Sequence, residues 1–290
     1  MFQGIIALVL ASVGFGMLPV QTKLLLAQGM ENTAITAWRF VLSALLVFLY
    51  LRASGKSLKL TRRQGKAVFL LGMLGYLATS ILLTSSYLYL PSGAATMLHF
   101  SYPILVTIAG AVFFREKFTW KTAVSVAMTA AGLALMGSQC LQAGSNAVGI
   151  LLALLSGLAY AVYVISLNRS VMRELDSACL AFYVIALCSV SLIGVSWIQN
   201  GQLLLPTRGI HFLLLVSLSG FCTVAPLILL SYGIRRVGET CAAMINLLEP
   251  VISLAAGWIL LREAVSLLSA IGSVLVLLSI TVNIFCRKNC

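Results

Sequence analysis

Long apolar runs separated by short polar breaks dominate this chain, at 4–26, 33–51, 67–89, 93–114, 121–138, 148–167, 178–198, 210–233, 239–261 and 265–286. A bilayer-crossing helix needs about 20 mostly apolar residues, and these runs have roughly that length. They are continuous, without the apolar-polar alternation of a membrane β-barrel strand. The pattern predicts an all-α membrane protein with ten transmembrane helices and no room between them for a soluble domain. The first run follows Met1-Phe2-Gln3 without a basic stretch and is longer than a signal-peptide core, so it reads as a retained span.

Composition agrees and narrows the function. The 290 residues are 61% hydrophobic and 9% charged, whereas soluble domains carry about a quarter charged residues. A soluble enzyme on a single anchor, a receptor with a large ectodomain and a nucleic-acid reader are all disfavoured. The net charge of +12 is accounted for by sidedness. With the N-terminus inside, the inner loops hold Arg52, Lys56, Lys59, Arg62, Arg63, Lys66, Arg115, Lys117, Lys121, Arg169, Arg173, Arg235, Arg236, Arg287 and Lys288, against Lys23, Arg208 and Arg262 outside. The positive-inside rule then puts both termini in the cytoplasm, and the membrane is read as the plasma membrane. The densest cluster, Arg52 to Lys66, is a topology determinant first and a lipid-headgroup site second. The seven cysteines form no C-x-x-C pair and read as small apolar fillers.

Internal similarity divides the chain in two. Gly4-Ile5 matches Gly149-Ile150, Ser86-Tyr87 matches Ser231-Tyr232, and Gly93 matches Gly238. After a two-residue insertion, Met97, Pro103, Gly110, Arg115 and Glu116 match Met244, Pro250, Gly257, Arg262 and Glu263. Two five-span units result, 4–138 and 148–286, joined through Gln139 to Ala147. An odd number of spans inverts the second unit, the arrangement from which alternating-access carriers are built.

The stretch Tyr87 to Ala95, then Tyr102-Pro103 and Arg115-Glu116-Lys117, resembles the first half of the EamA family of the drug/metabolite transporter superfamily. Tyr232 to Glu239, Leu248-Glu249-Pro250 and Arg262-Glu263 resemble its second half. The resemblance spans nearly the whole chain. It implies a ten-span secondary carrier of small metabolites, often an exporter, with a cavity lined by the third, fourth, eighth and ninth spans and parts of the first and sixth. Where that family usually has glycine before the glutamate, this chain has Arg115 and Arg262, and His99 is no general family residue.

Candidate chemistry gathers at prolines inside spans: Pro19, Pro103, Pro226 and Pro250. Each removes a helical hydrogen bond and leaves a carbonyl four residues earlier without its donor, that of His99 for Pro103 and of Asn246 for Pro250. Thr96, His99 and Tyr102 share one helical face, as do Asn246, Glu249 and Ser253. Glu249 is the only carboxylate well inside a span. A charge at that depth costs about 2.5–3.5 kcal/mol on insertion scales and calls for a partner or a wet cavity. It reads as the carrier of a coupling proton, as the partner of a substrate amine, or as a protonated structural group bonded to backbone. His99 reads as a second proton site, as a donor to an anionic group, or as a neutral ring satisfied by its own loosened helix. Arg39 counters Glu249, binds a substrate carboxylate, or pairs structurally at the bundle edge. Phe15, Tyr76, Tyr87, Tyr160, Tyr163 and Tyr232 are candidates to line or gate the path. Gly72, Gly75, Gly110 and Gly257 read as close helix contacts, and Trp38, Trp120, Trp197 and Trp258 as interfacial anchors.

No H-E-x-x-H, G-x-S-x-G or Walker A motif is present, which counts against an intramembrane enzyme and an ATP-driven pump. No cofactor or metal is expected. The reading is a proton-coupled carrier of a small polar or amphiphilic metabolite such as an amino acid or amine. A flippase for a lipid or lipid-linked metabolite on the same fold is the nearest rival. Substrate, direction and homodimer formation stay open.

Overall fold

The computed structural model describes residues 2–86, 89–90, 92–116, 118–137, 146–200, 205–206, 208–262 and 265–288. The expectations that fall on Tyr87, Lys117, Glu263 and most of the Gln139 to Ala147 joint lie outside them. The described residues are helical, with no strand. In chain order the helices are α1 (Phe2–Ala27), α2 (Asn32–Ala53), α3 (Arg62–Leu71), α4 (Ala78–Ser86), α5 (Ser92–His99), α6 (Tyr102–Phe114), α7 (Trp120–Gly137), α8 (Ala147–Arg169), α9 (Ser177–Asn200), α10 (Gly209–Ser219), α11 (Ala225–Val237), α12 (Glu239–Ile245), α13 (Leu248–Leu261) and α14 (Leu267–Lys288).

Among the described residues, eight helical rods are long and apolar enough to cross a membrane: Phe2–Ala27, Thr33–Ala53, Arg62–Leu83, Ala95–Phe114, Ala147–Arg169, Ser177–Gly194, Gly209–Val237 and Glu239–Leu261. The third begins at Arg62, five residues before its apolar run, because Thr61 and Gln64 close a reciprocal capping box there. The apolar part of α14, Leu267–Val282, is shorter. It packs on α7 along a seam of small residues: a Cβ on Gly132 would lie 2.8 Å from the Gly272 carbonyl, and one on Gly272 would lie 2.5 Å from that of Gly132. Hydroxyls cross-link the seam, Ser125 Oγ to the Ser279 carbonyl and Thr129 Oγ1 to Ser279 Oγ, both at 2.9 Å. Such close approach replaces the hydrophobic driving force that lipid does not supply.

Two devices recur. A π-helical turn joins α3 to α4 (Gly72–Leu77) and another joins α10 to α11 (Gly220–Val224). In the second, Pro226 removes the next amide donor, and the Thr223 hydroxyl answers the Leu218 carbonyl at 3.1 Å. The α5–α6 and α12–α13 rods break at Phe100-Ser101 and Asn246-Leu247, two to four residues ahead of Pro103 and Pro250, and both prolines fall in the first turn of the resumed helix. Both rods also end on a left-handed arginine, Arg115 at φ 55° and Arg262 at φ 53°, whose amides bond to the Gly110 and Gly257 carbonyls. These are the two positions where the family resemblance implies glycine, the residue that takes this conformation without a Cβ clash.

The buried core runs along the centre through Phe40, Tyr102, Tyr163, Leu180, Ile185 and Leu230. The outer surface exposes Phe113, Trp120, Val190 and Leu267, a face suited to lipid rather than water. Trp197 and Trp258 share that exposure, whereas Trp38 packs into a cluster with Leu25, Ile35 and Leu215.

Candidate functional site

The first break brings together an aromatic cluster. The Tyr102 and Tyr160 rings meet edge to face at 4.7 Å, and His99 stands 5.4 Å from Tyr160 and 5.6 Å from Tyr102. Tyr76, in the π turn, lies 5.2 Å from Tyr163 and 6.2 Å from Phe40. The backbone admits this crowding because α8 is notched at Gly157, where a Cβ would lie 2.8 Å from the His99 carbonyl and 2.9 Å from Ser101 Oγ.

His99 is buried, and its Nδ1 lies 3.0 Å from Ser156 Oγ on α8. Ser156 has one hydroxyl proton, aimed at the Ala153 carbonyl at 2.6 Å, so its oxygen accepts from His99 Nδ1–H. This assignment rests on the hydrogen-bond pattern and leaves Nε2 as the ring's lone pair. The expected partner, the helix's own loosened backbone, is thus replaced by a side chain of another rod.

The second break is built differently. Ser12 on α1 reaches Asn246 Oδ1 at 3.4 Å and the Ile245 carbonyl at 3.5 Å. The Asn246 carbonyl, expected to be bare, accepts the Glu249 amide at 2.9 Å, because the chain re-closes over the break with a three-residue bond. Polar atoms stay open on the side chains instead. Asn246 and the Tyr102 hydroxyl approach each other across the two breaks, but Asn246 Nδ2 and the hydroxyl, both buried, stop short of hydrogen-bond geometry. Glu249, near the middle of the Glu239–Leu261 rod, is half-buried, and among the described residues no hydrogen bond or ion pair closes on its carboxylate. Its charge acts on Tyr76, Tyr102 and Tyr160.

Arg39 on α2 lies over the Phe40 ring at 4.5 Å and acts electrostatically on Tyr76 and Cys188. It therefore turns inward, towards the tyrosine that Glu249 also influences. Thr96 and Ser253 are both half-buried, and Phe15 is buried in the core. Tyr232 stands apart: Arg236 covers its ring at 4.5 Å and bonds Gln3 at 2.8 Å, which puts it at a rod end. Pro19 lies within α1, and a Cβ on Gly14 nearby would lie 2.3 Å from Pro226 Cγ, so α1 is fitted to the second π turn. Among the described residues no group of three or more His, Cys, Asp or Glu is placed to hold a metal.

The sequence profile of the EamA-like transporter family matches residues 2–138 and again 147–285. This chain belongs to the EamA-like transporter family. An uncharacterized transporter of Archaeoglobus fulgidus is 27% identical over 252 residues, covering 85% of this chain and 86% of its own. A solved crystal structure superposes with a TM-score of 0.79 at 19% identity, covering 97% of this chain and 95% of the other, and shares the fold. The protein is a multi-pass membrane protein of the transporter class.

This EamA-like chain has a second polar centre that sequence reasoning left among the loops. Glu239, the first residue of α12, is 1% exposed. Its carboxylate accepts Asn168 Nδ2 on one oxygen and Arg169 Nε at 2.5 Å on the other. Arg169 also bonds Glu116 at 2.8 Å, and Glu116 accepts the Thr240 hydroxyl at 2.9 Å. Gly110, expected at a sliding helix contact, instead leaves room for that pair: a Cβ there would lie 3.0 Å from both Glu116 Oε2 and Thr240 Oγ1. Beside the network lies a cavity of about 560 Å³ lined by Arg63, Asn168, Arg169, Ser170, Arg173 and Glu174. The available sequence signal was the placement of Glu239, Glu116 and Arg169 at the ends of apolar runs in a chain with only seven acidic residues.

Proposed function

We propose that this protein is a secondary carrier of a small polar or amphiphilic metabolite, an amino acid, amine or related compound, in the plasma membrane. Ten spans arranged as two inverted five-span repeats, 4–138 and 148–286, alternate access around the two breaks, with both termini cytoplasmic. The repeat reading is supported by the twofold family match and by the paired π turns, breaks and left-handed arginines. Orientation rests on the basic residues of alternate loops.

One observation carries the mechanism: a half-buried carboxylate at mid-rod, Glu249, on which no hydrogen bond or ion pair closes among the described residues. Such a group is costly in lipid unless it meets protons or a ligand. In this reading Glu249 takes a proton or a substrate amine in exchange. Asn246, Tyr102, Tyr76, Thr96 and Ser253 form the wall, Arg39 sets the opposite charge, and His99 holds Tyr102 and Tyr160 in position. The test is counterflow of amino acids, amines and organic acids in proteoliposomes with and without a pH gradient. Glu249→Gln should leave the protein folded and cut gradient-driven flux at least about tenfold. Undiminished coupled flux in that variant would sink the assignment.

A further inference from the structure

The cavity beside the Arg169 network is walled by cations that the network does not use. Arg63, the second residue of α3, lines it, as does Arg173 in the 3₁₀ turn Val171–Glu174 that follows α8. Arg169 lines it too but is already held by Glu239 and Glu116. Arg63 and Arg173 are exposed, and among the described residues no ion pair or hydrogen bond takes up either guanidinium. The acidic group on the wall, Glu174, is instead engaged by Gln64, whose Nε2 donates to its carboxylate at 3.5 Å. The wall is also fixed in place. Ser170 leaves α8 in extended backbone, and its Oγ accepts the Met172 amide at 3.1 Å. From behind, Arg235 on α11 donates to the Met172 carbonyl at 3.3 Å and to the Leu175 carbonyl. Across the hollow, the Thr61–Gln64 capping box sets the first turn of α3. The volume of about 560 Å³ lies within the range of small-ligand clefts, about 300–1,000 Å³.

Depth and surroundings select the ligand. Arg63 and Arg169 stand at the ends of two apolar rods, the level at which hydrocarbon gives way to headgroups. Towards the midplane, Ala67 and Leu70 continue the Arg63 face of α3, and Val162 continues the Arg169 face of α8. Leu70 is 55% and Val162 39% exposed, so both faces run from cation to apolar surface in the direction acyl chains take. A guanidinium matches phosphate oxygens with two parallel N–H bonds, and basic pockets between spans hold acidic headgroups. We propose that the hollow between α3 and the turn after α8 binds the phosphodiester headgroup of an anionic phospholipid, with Arg63 and Arg173 on the phosphate and the tails along Leu70 and Val162. A soluble phosphate shares the arginine chemistry but leaves the apolar faces unused. The leaflet, cytoplasmic, follows from the orientation proposed above, whereas the binding itself does not depend on the carrier reading.

The test is native mass spectrometry of the purified full chain, titrated with phosphatidylglycerol and with phosphatidylcholine. Phosphatidylglycerol should be retained in preference. Its affinity should fall about fivefold in Arg63→Gln and again in Arg173→Gln, the contribution of one basic residue near a membrane surface. The double variant should lose roughly the product, about twenty-five-fold. Arg52→Gln combined with Lys59→Gln removes equal charge away from the cavity wall and should change the affinity less than about twofold. Equal losses from the two pairs would reduce the effect to general surface charge and overturn the proposal, as would equal retention of the two lipids by the wild type. Inorganic phosphate displacing phosphatidylglycerol at equal concentration would show that the tails add nothing, and would overturn the lipid assignment in favour of a soluble phosphate. All four substituted residues are exposed, so the variants keep the fold. Glu249→Gln should bind the lipid as the wild type does, so a failure of the coupling assignment and a failure of the lipid site are read from different variants.

Discussion

The two helix breaks share a backbone and differ in what their side chains do. At Phe100-Ser101 the ionisable ring is spoken for, since His99 is bonded to Ser156 and held among three rings, while the Ser101 and Tyr102 hydroxyls beside it close no hydrogen bond. At Asn246-Leu247 the polar groups stay open, with Asn246 Nδ2 without a bond and Glu249 half-exposed. The two breaks therefore differ in their ionisable group, a ring tied to another rod at the first and a carboxylate that no hydrogen bond among the described residues reaches at the second, and the proposed carrier mechanism uses only the second.

The comparison is broken most severely by filling the notches that admit each break. Gly157→Val should cost about 3 kcal/mol or more, since its Cβ meets a backbone carbonyl at 2.8 Å. Gly16→Val, opposite the second break, meets Ile252 Cγ2 at 2.8 Å, Ile252 Cβ at 2.9 Å and the Glu249 carbonyl at 3.0 Å and should cost a similar amount, because a β-branched side chain cannot swing away. Thermal unfolding in detergent measures both. Next comes a contrast of roles. His99→Ala should lower stability by about 1–3 kcal/mol through the lost bond and ring contacts, while flux per folded molecule stays within about threefold of wild type. A tenfold loss of flux with normal stability would make the first break chemical too.

Smaller effects sharpen the pairing of the halves. Arg115→Gly and Arg262→Gly should each stabilise the protein by about 0.5–1 kcal/mol by relieving left-handed backbone, and by similar amounts, since their φ angles differ by only 2° (55° against 53°). Unequal gains would show that one arginine has an added role. The smallest effect belongs to a site remote from both breaks. Asp176 accepts the Ala178 amide at 2.9 Å, capping α9, and pairs with Lys56 at 2.8 Å. Partial burial pushes its carboxyl up, but the Lys56 bond and the α9 amides outweigh this and hold it below the usual value. Its stabilisation is therefore present above about pH 4 and is lost as pH falls through the lowered value. Asp176→Asn should cost about 1 kcal/mol or less at pH 7 and progressively less as the pH is lowered below about 4, read from melting curves.

Much of this was legible in the chain. Apolar runs announced the helices because lipid forces every backbone group into internal hydrogen bonds. Pro103 and Pro250 announced the breaks because a missing amide cannot be hidden. Their placement two to four residues earlier was not legible, since it depends on short-range bonds that re-close the chain. The Gly220–Val224 π turn has Pro226 behind it as a signal, and the Gly72–Leu77 turn has none. The Arg169 network joins residues 53 and 70 positions apart, with Thr240 and Glu116 separated by 124. No local pattern specifies such a meeting, although charged residues at rod ends hint at it. Tyr232 shows the opposite limit: equal aromatic character, but at a rod end beneath Arg236.

The seam between α7 and α14 sets the geometry of any rearrangement. Glycines whose missing methylenes are filled by the opposite carbonyl leave no clearance for a vertical shift, and three hydroxyl-bearing residues rivet the contact from the side. These two helices therefore pack as one rigid pair, and a covalent clamp across Ser125 and Ser279 should leave the fold undisturbed.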